Sequence, residues 1–290
     1  MKPAPFVHVA PGSLAEVVAL LAEHAPDARP LAGGQSLVPV MNFRLSRPSV
    51  LIDLNRVPEL AYIRDDGTHL TVGAMTRQRT LENSDLVRKA APLLHAATLN
   101  IGHLPIRSRG TIGGSLSNAD PAAEDPAVVL ALDCVMVLHG PSGERRVAAA
   151  DFFEGVLATA TGPDELLVAI EVPKAPANSG SAFVEIARRH GDFALAGVAA
   201  QVTLSGDGPV SVQLAACGVG PGPVRLSGAE AEILDHGLSE AAIRAAARIA
   251  AAEVDPDTDL HATAAYRRRL TAAMTRRALL QAVENAKAPS

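Results

Sequence analysis

Two segments of this 290-residue chain, Ala32-Gly33-Gly34-Gln35-Ser36 and Thr111-Ile112-Gly113-Gly114-Ser115, set a pair of adjacent glycines just ahead of a serine. Adjacent glycines leave the backbone N–H groups unshielded by any Cβ, so consecutive amides can curve into a concavity that receives an anion. Ser36, Thr111 and Ser115 would add hydroxyl hydrogen bonds. Neither segment contains lysine, so a phosphate would be met by backbone dipoles, with Arg107 and Arg109 as more distant help. Each segment is expected at the end of a strand, and together they would grip the two halves of a pyrophosphate. The other reading is that each is a tight turn, the usual employment of glycine.

The surrounding pattern bears on that choice. Phe6–Val9 reads as a strand, and Ser13-Leu14-Ala15-Glu16 as a capping box that opens a helix through His24. Ala28–Ala32 and Ser49–Leu54 return to strand, which makes a βαβ-type unit with parallel pairing. From Tyr62 the grammar changes to a hairpin around Asp65-Asp66-Gly67, then helices over 76–83 and 85–97, the second punctuated by Pro92. Val135–Leu138 and Leu166–Val172 continue an antiparallel sheet. Pro173–Ser181, with two prolines, a glycine and two serines, reads as a linker. Beyond it come strands over 182–187, 197–204 and 210–217, then alanine-rich helices over 229–235, 240–252 and 262–286. Two structural units are expected, divided near residue 177.

Composition removes several function classes. With 26 basic and 31 acidic residues the net charge is −5, against wholesale nucleic-acid binding. Cys134 and Cys217 are the only cysteines, too few and too far apart for an iron–sulfur cluster or structural zinc, and a reducing compartment fits them. Aromatic residues are 3% of the chain, so base-stacking platforms are not expected. Residues 1–13 lack the apolar stretch of a signal peptide, and no run approaches the 18 or so residues of a membrane helix, so the expected location is the cytoplasm. There is no Gly-Lys pair for a P-loop and no His-Glu-x-x-His zinc motif. Gly218-Val219-Gly220-Pro221-Gly222 imitates part of a dinucleotide fingerprint, but its prolines remove donors, and it reads as a turn. His103 reads as scaffold. Glu124-Asp125-Pro126 has two readings: Asp125 as an acidic cap on a following helix, and Glu124 as an acid within reach of a ribose hydroxyl. The arginines at 267–269 and 276–277 read as a solvated helix face or a docking surface for an acidic partner.

The stretches LAGGQSLVPVMNFRLSRPSVLIDLNRVPEL (31–60), IGHLPIRSRGTIGGSLSNADPAAEDPAVVLALD (101–133) and RRHGDFALAGVAA (188–200) together resemble the flavoprotein (medium) subunit of bacterial molybdenum hydroxylases, the group that includes the carbon monoxide, aldehyde and N-heterocycle dehydrogenases. The resemblance covers essentially the whole chain. It implies an α+β fold: a PCMH-type FAD-binding domain at 1–177, with a small parallel βαβ subdomain (about 1–55) and an antiparallel sheet with helices (56–177). A smaller antiparallel sheet and helix domain follows at 178–290.

The same resemblance implies a cofactor, FAD, held non-covalently by Ala32, Gly33, Gly34, Gln35, Ser36, Thr111, Ile112, Gly113, Gly114 and Ser115. Glu124 is implied at the ribose, Ile101 and Leu167 on the adenine side, Asn118 as a further contact, and Phe193 beside the isoalloxazine ring. Asn42 replaces the commoner basic residue after Met41. No catalytic acid or base and no metal ligand is implied on this chain. The molybdenum cofactor and 2Fe–2S clusters are expected on a large and a small partner subunit, in a dimer of heterotrimers that delivers electrons to an external acceptor. The alternatives are a stand-alone flavin oxidoreductase of the same superfamily, a non-redox nucleotide-binding module and a flavin-free assembly scaffold.

Overall fold

Ser13 starts the first helix much as the sequence suggests, and the detail shows how the N-terminal unit is tied. Its hydroxyl accepts from the Glu16 N–H at 3.3 Å, while Glu16 Oε2 accepts from the N–H of Gly12, one residue earlier than a capping box requires. In the computed structural model, which describes residues 1–206 and 208–288, helix α1 (Leu14–His24) buries Val17, Val18 and Leu21. It links β1 (Val7–Val9) to β2 (Ala28–Leu31), and α2 (Leu37–Asn42) leads to β3 (Val50–Asp53). The sheet order is β1-β3-β2, with both outer strands parallel to β3, as the βαβ reading requires.

A second sheet has the order β4-β5-β10-β6-β7. Strands β4 (Ile63–Asp65) and β5 (His69–Gly73) form the expected hairpin, in which Asp65 accepts from the Gly67 N–H. The helical stretch that follows is broken where prolines and caps dictate: α3 (Gln78–Glu82), α4 (Asp85–Ala90) capped by Ser84, and α5 (Pro92–Thr98) restarting at the proline. Then come α6 (Leu104–Arg109), α7 (Ile112–Asn118), α8 (Glu124–Ala131), the hairpin β6 (Val135–Gly140) and β7 (Gly143–Ala148), one-turn α9 (Ala149–Phe152), and the small pair β8 (Phe153–Gly155) and β9 (Ala158–Thr159). Central strand β10 (Leu166–Pro173) is buried on both faces. Leu166 and Val168 join the core under α1, whereas Leu167, Ile170 and Val172 join the core of α5, α7 and α8. The sheet is thus a partition between the βαβ unit and a helical layer, which explains why β10 is a continuous apolar run.

The third sheet, β11 (Ser179–Ile186), β12 (Ala196–Ser205), β13 (Gly208–Cys217) and β14 (Val224–Arg225), is antiparallel in that order. One face is covered by α10 (Ser227–His236), α11 (Glu240–Glu253) and α12 (Ala264–Lys287). The other face, with Phe183, Ala199, Ala215 and Cys217, shares the core of the helical layer. Two expectations change. Strands β10 and β11 run into the supposed linker from both sides, so only 174–178 lies between them. The basic cluster on α12 is also not one surface: Arg267 is buried and donates to the carbonyls of Leu195 (2.7 Å) and Gly218 (2.8 Å) and to Asp259, whereas half-buried Arg268 pairs with Asp255 and exposed Arg276 with Glu240.

No helix among the described residues is long and apolar enough to cross a membrane. Removing Arg267 would leave two buried carbonyls without a donor, a loss of about 2–3 kcal/mol. Arg267→Ala is therefore predicted to lower the Tm by several degrees, while Arg276→Ala, losing only an exposed pair, changes it by about one degree or less. Thermal unfolding of the two variants side by side checks this.

Candidate functional site

The first glycine segment leaves β2 and turns at Gly34, whose φ of +74° a side chain would strain. It then enters α2 without a side-chain cap from Ser36. The second segment is not at a strand end, contrary to the sequence reading. Thr111 is the N-cap of α7, and its hydroxyl accepts from the Gly114 N–H at 3.0 Å. The chain arrives there from α6 and Gly110, and only an isolated bridge between Arg77 and Thr111 has strand character.

The fold brings the two segments into contact. A Cβ on Gly33 would press into the Arg109 carbonyl and lie 2.8 Å from Gly110 Cα. One on Gly114 would lie 2.8 Å from Thr111 Oγ1 and 3.4 Å from the Ala32 Cβ. Gly113 is pinned from below, with its N–H donating to Ala74 O at 2.9 Å and no room for a Cβ. These glycines answer close backbone approach rather than turn geometry alone.

The segments differ in what they can offer an anion. In the second, Ile112 donates to Thr76 O, Gly113 to Ala74 O, Gly114 to the Thr111 hydroxyl and Ser115 to Thr111 O, so the four amides of 112–115 are already taken. In the first, no acceptor among the described residues takes the N–H of Gly33, Gly34, Gln35 or Ser36. The Gln35 side chain folds back onto the Gly33 carbonyl at 3.1 Å. Four consecutive free donors at a place where a Cβ has no room suit an anionic, phosphate-like group. The second segment supplies small surface and the Ser115 side chain instead of backbone donors. The symmetrical two-loop grip read from the sequence is corrected to that extent.

Below this cradle, Asp125 is wholly buried; its Oδ2 accepts from Gln78 Nε2 at 2.5 Å, and its Oδ1 has no partner among the described residues. Burial pushes its carboxyl up to about 6, against the opposing pull of Ser115 and Gln78. It is not a helix cap: the N-cap of α8 is Ala123, and the carboxyl turns inward. Glu124, beside it, is 5% exposed. Burial, and then Glu185 on β11, Asp125 and Asp120, push its carboxyl up to about 8. Glu185 lies opposite Gly197, which lies opposite Cys217, so the two acids and a buried thiol meet where α8 rests on the third sheet. Burial likewise raises Glu185 to about 7 and leaves its Oε2 without a partner.

Of the remaining sequence candidates, Leu167 is buried in the helical core with Ile112 and Leu116, and Asn118 ends α7. Ile101 precedes α6 and gives its carbonyl to Arg107 at 3.0 Å. Phe193 is 61% exposed on the loop joining β11 and β12. That loop is close to Ile101: a Cβ on Gly191 would lie 2.5 Å from the His103 ring. Three residues escaped the sequence reading: Asn55 and Arg77, which link Ala32 to the Arg109 carbonyl from the side, and Gln78, which holds Asp125; their partners are 22 to 47 residues away in sequence. Cys134 and Cys217 are free and buried, and no group of three potential metal ligands occurs among the described residues.

Residues 4–175 match the family described as the FAD binding domain in molybdopterin dehydrogenase, and residues 181–282 match the CO dehydrogenase flavoprotein C-terminal domain. The chain is 42% identical to the 6-hydroxypseudooxynicotine dehydrogenase complex subunit alpha of Paenarthrobacter nicotinovorans, over 99% of this chain and 97% of that one. It is 38% identical to the carbon monoxide dehydrogenase medium chain of Hydrogenophaga pseudoflava, over 96% and 97% of the two chains. A solved structure of carbon monoxide dehydrogenase from that organism superposes with a TM-score of 0.96 at 39% identity, covering 98% and 99% of the respective chains. Quinoline 2-oxidoreductase from Pseudomonas putida 86 gives 0.95 at 36% identity, covering 99% and 100%.

Because Glu124 and Glu185 hold their protons more tightly folded than unfolded, the stability they contribute is complete below about 4.5 and is lost as pH rises through about 7 to 8. The Tm of the wild-type chain is predicted to fall between about pH 5 and pH 8.5, and Glu185→Gln to flatten that slope. Thermal melts across this range test it; an equal slope in the variant would contradict it.

Proposed function

The chain belongs to the family of FAD-binding domains of molybdopterin dehydrogenases, and from that premise we propose that it is the subunit that carries electrons from 2Fe–2S clusters of a small partner subunit to an external acceptor. It is an oxidoreductase flavoprotein of the medium-subunit kind. The observation that carries the site assignment is the run of acceptor-free amides from Gly33 to Ser36 against the crowded backbone of Arg109 and Gly110. When bound, FAD supplies the redox chemistry, accepting and releasing electrons, which no side chain of this chain provides.

The residues hold and orient. The amides of 33–36 would donate to the diphosphate, and Ser115 and Thr111 would close its other side. Glu124 would take the ribose end, with Ile101, Leu167 and Asn118 around the adenosine and Phe193 against the flavin ring. The donor set fits a dianion, since four consecutive backbone N–H groups can donate to it, and Arg77 and Arg109 add positive potential.

The relatives are named for substrates as different as carbon monoxide and the N-heteroaromatic compounds 6-hydroxypseudooxynicotine and quinoline. That diversity supports placing substrate choice on a large molybdopterin subunit, with this chain as one third of a cytoplasmic heterotrimer that pairs into a dimer. The division into an FAD domain ending near 177 and a smaller C-terminal domain is supported by the short 174–178 connection and the separate family matches.

Val at position 114 would push on the Thr111 cap and on Ala32 together. Gly114→Val is predicted to yield folded, colourless protein while the wild type is yellow, read by absorbance near about 450 nm and circular dichroism. Full flavin content in the variant would contradict the site assignment. Turnover of a small substrate by the isolated chain would instead favour a stand-alone flavin oxidoreductase.

A further inference from the structure

Arg77 and Asn55 join the two glycine segments from outside the cradle. Asn55 Nδ2 donates to the Ala32 carbonyl at 3.1 Å, and Asn55 Oδ1 accepts from one arm of the Arg77 guanidinium. The other arm of Arg77 donates to the Arg109 carbonyl, the same carbonyl that leaves Gly33 no room for a side chain. A continuous chain of hydrogen bonds therefore runs from Ala32, through two side chains, to the residue two before Thr111. Asn55 is itself held by Asp53, which accepts from both its backbone and its side-chain N–H. We propose that Arg77 and Asn55 are positioning residues that fix the separation of the two glycine segments and so set the affinity for the FAD diphosphate.

The inference rests on the reading of these segments as the diphosphate site. Loops that bind through backbone amides gain affinity from being held in the bound geometry beforehand, because the cost of ordering them is met in folding rather than in binding. Nothing else ties Ala32 to the Arg109–Gly110 backbone by side-chain hydrogen bonds among the described residues. Arg77 is also an unusual structural cation. It is half-buried, lies close enough to Arg109 to feel its charge, and forms no ion pair with a carboxylate among the described residues. A doubly charged diphosphate next to the segments would add to the negative charge that Arg77 already feels from Asp53, so the tie would tighten as the ligand binds.

The test is a double-mutant cycle on FAD affinity. Apoprotein of the full chain, wild type, Arg77→Ala, Asn55→Ala and the double variant, is titrated with FAD and followed by flavin fluorescence, with circular dichroism to confirm folding. Each single substitution is expected to weaken binding about tenfold, and the double variant also about tenfold, since both break one chain of bonds. Raising salt is expected to weaken wild-type binding more than binding by Arg77→Ala. Wild-type binding with unchanged singles, or a double variant weakened by the product of the two, would overturn the tie. No binding by the wild type would overturn the diphosphate reading itself and the tie with it. Should Arg77→Ala fail to fold, Arg77→Lys keeps the charge and one donor and is expected to lose about threefold; full wild-type affinity in that variant would contradict the guanidinium bridge.

Discussion

The backbone of Gly33 meets the carbonyl of Arg109 at a distance that leaves no space for a side chain, and the geometry of the cradle follows from that contact. It sets the end of β2 at Leu31 against the start of α7 at Ile112, far apart though the two are in sequence. Because the Arg109 carbonyl and the amides of 112–115 are already engaged, the second segment acts as a fixed wall. The first keeps its amides free. An asymmetric arrangement of this kind suits an anion better than two identical open loops would, since only one side has to supply donors and the other supplies rigidity.

What holds the wall and the cradle at constant distance is the partition sheet. Strand β10 contributes one set of side chains to the core under α1 and the other to the core of α5, α7 and α8, so the βαβ unit and the helical layer are packed on opposite faces of one strand. The third sheet presents small residues, Gly197, Ala199 and Ala215, to α8, which lets that helix approach closely and brings Glu124 against Glu185. The acids at this junction are costly to ionise together, which gives the seam between the first two sheets and the third its pH dependence.

Much of the frame was legible in the sequence because local chemistry decides it. Ser13 caps α1, Asp65-Asp66-Gly67 turns a hairpin, and Pro92 restarts a helix, each through a preference that short-range sterics enforce. The glycine segments stood out for the same reason. The state of the second did not, since Thr-x-x-Gly reads equally as a loop or as an N-cap, and the packing of Gly113 on Ala74 decides between them. Asp125 looked like a cap because an acid in a first turn usually faces solvent; only the position of Gln78 beneath it shows that it turns inward. Arg267 was hidden inside a run of arginines of which it alone is buried. Asn55 and Arg77 carry no signal of their own, since their roles exist only once three distant stretches have been brought together.

The most direct measurement is amide hydrogen exchange of the chain with and without FAD. The account predicts that peptides covering 33–36 exchange rapidly in the apoprotein and become protected on adding FAD, while 112–115 are protected in both states. Equal exchange at 33–36 with FAD bound, or new protection confined to 112–115, would contradict the assignment of the free amides as the diphosphate donors.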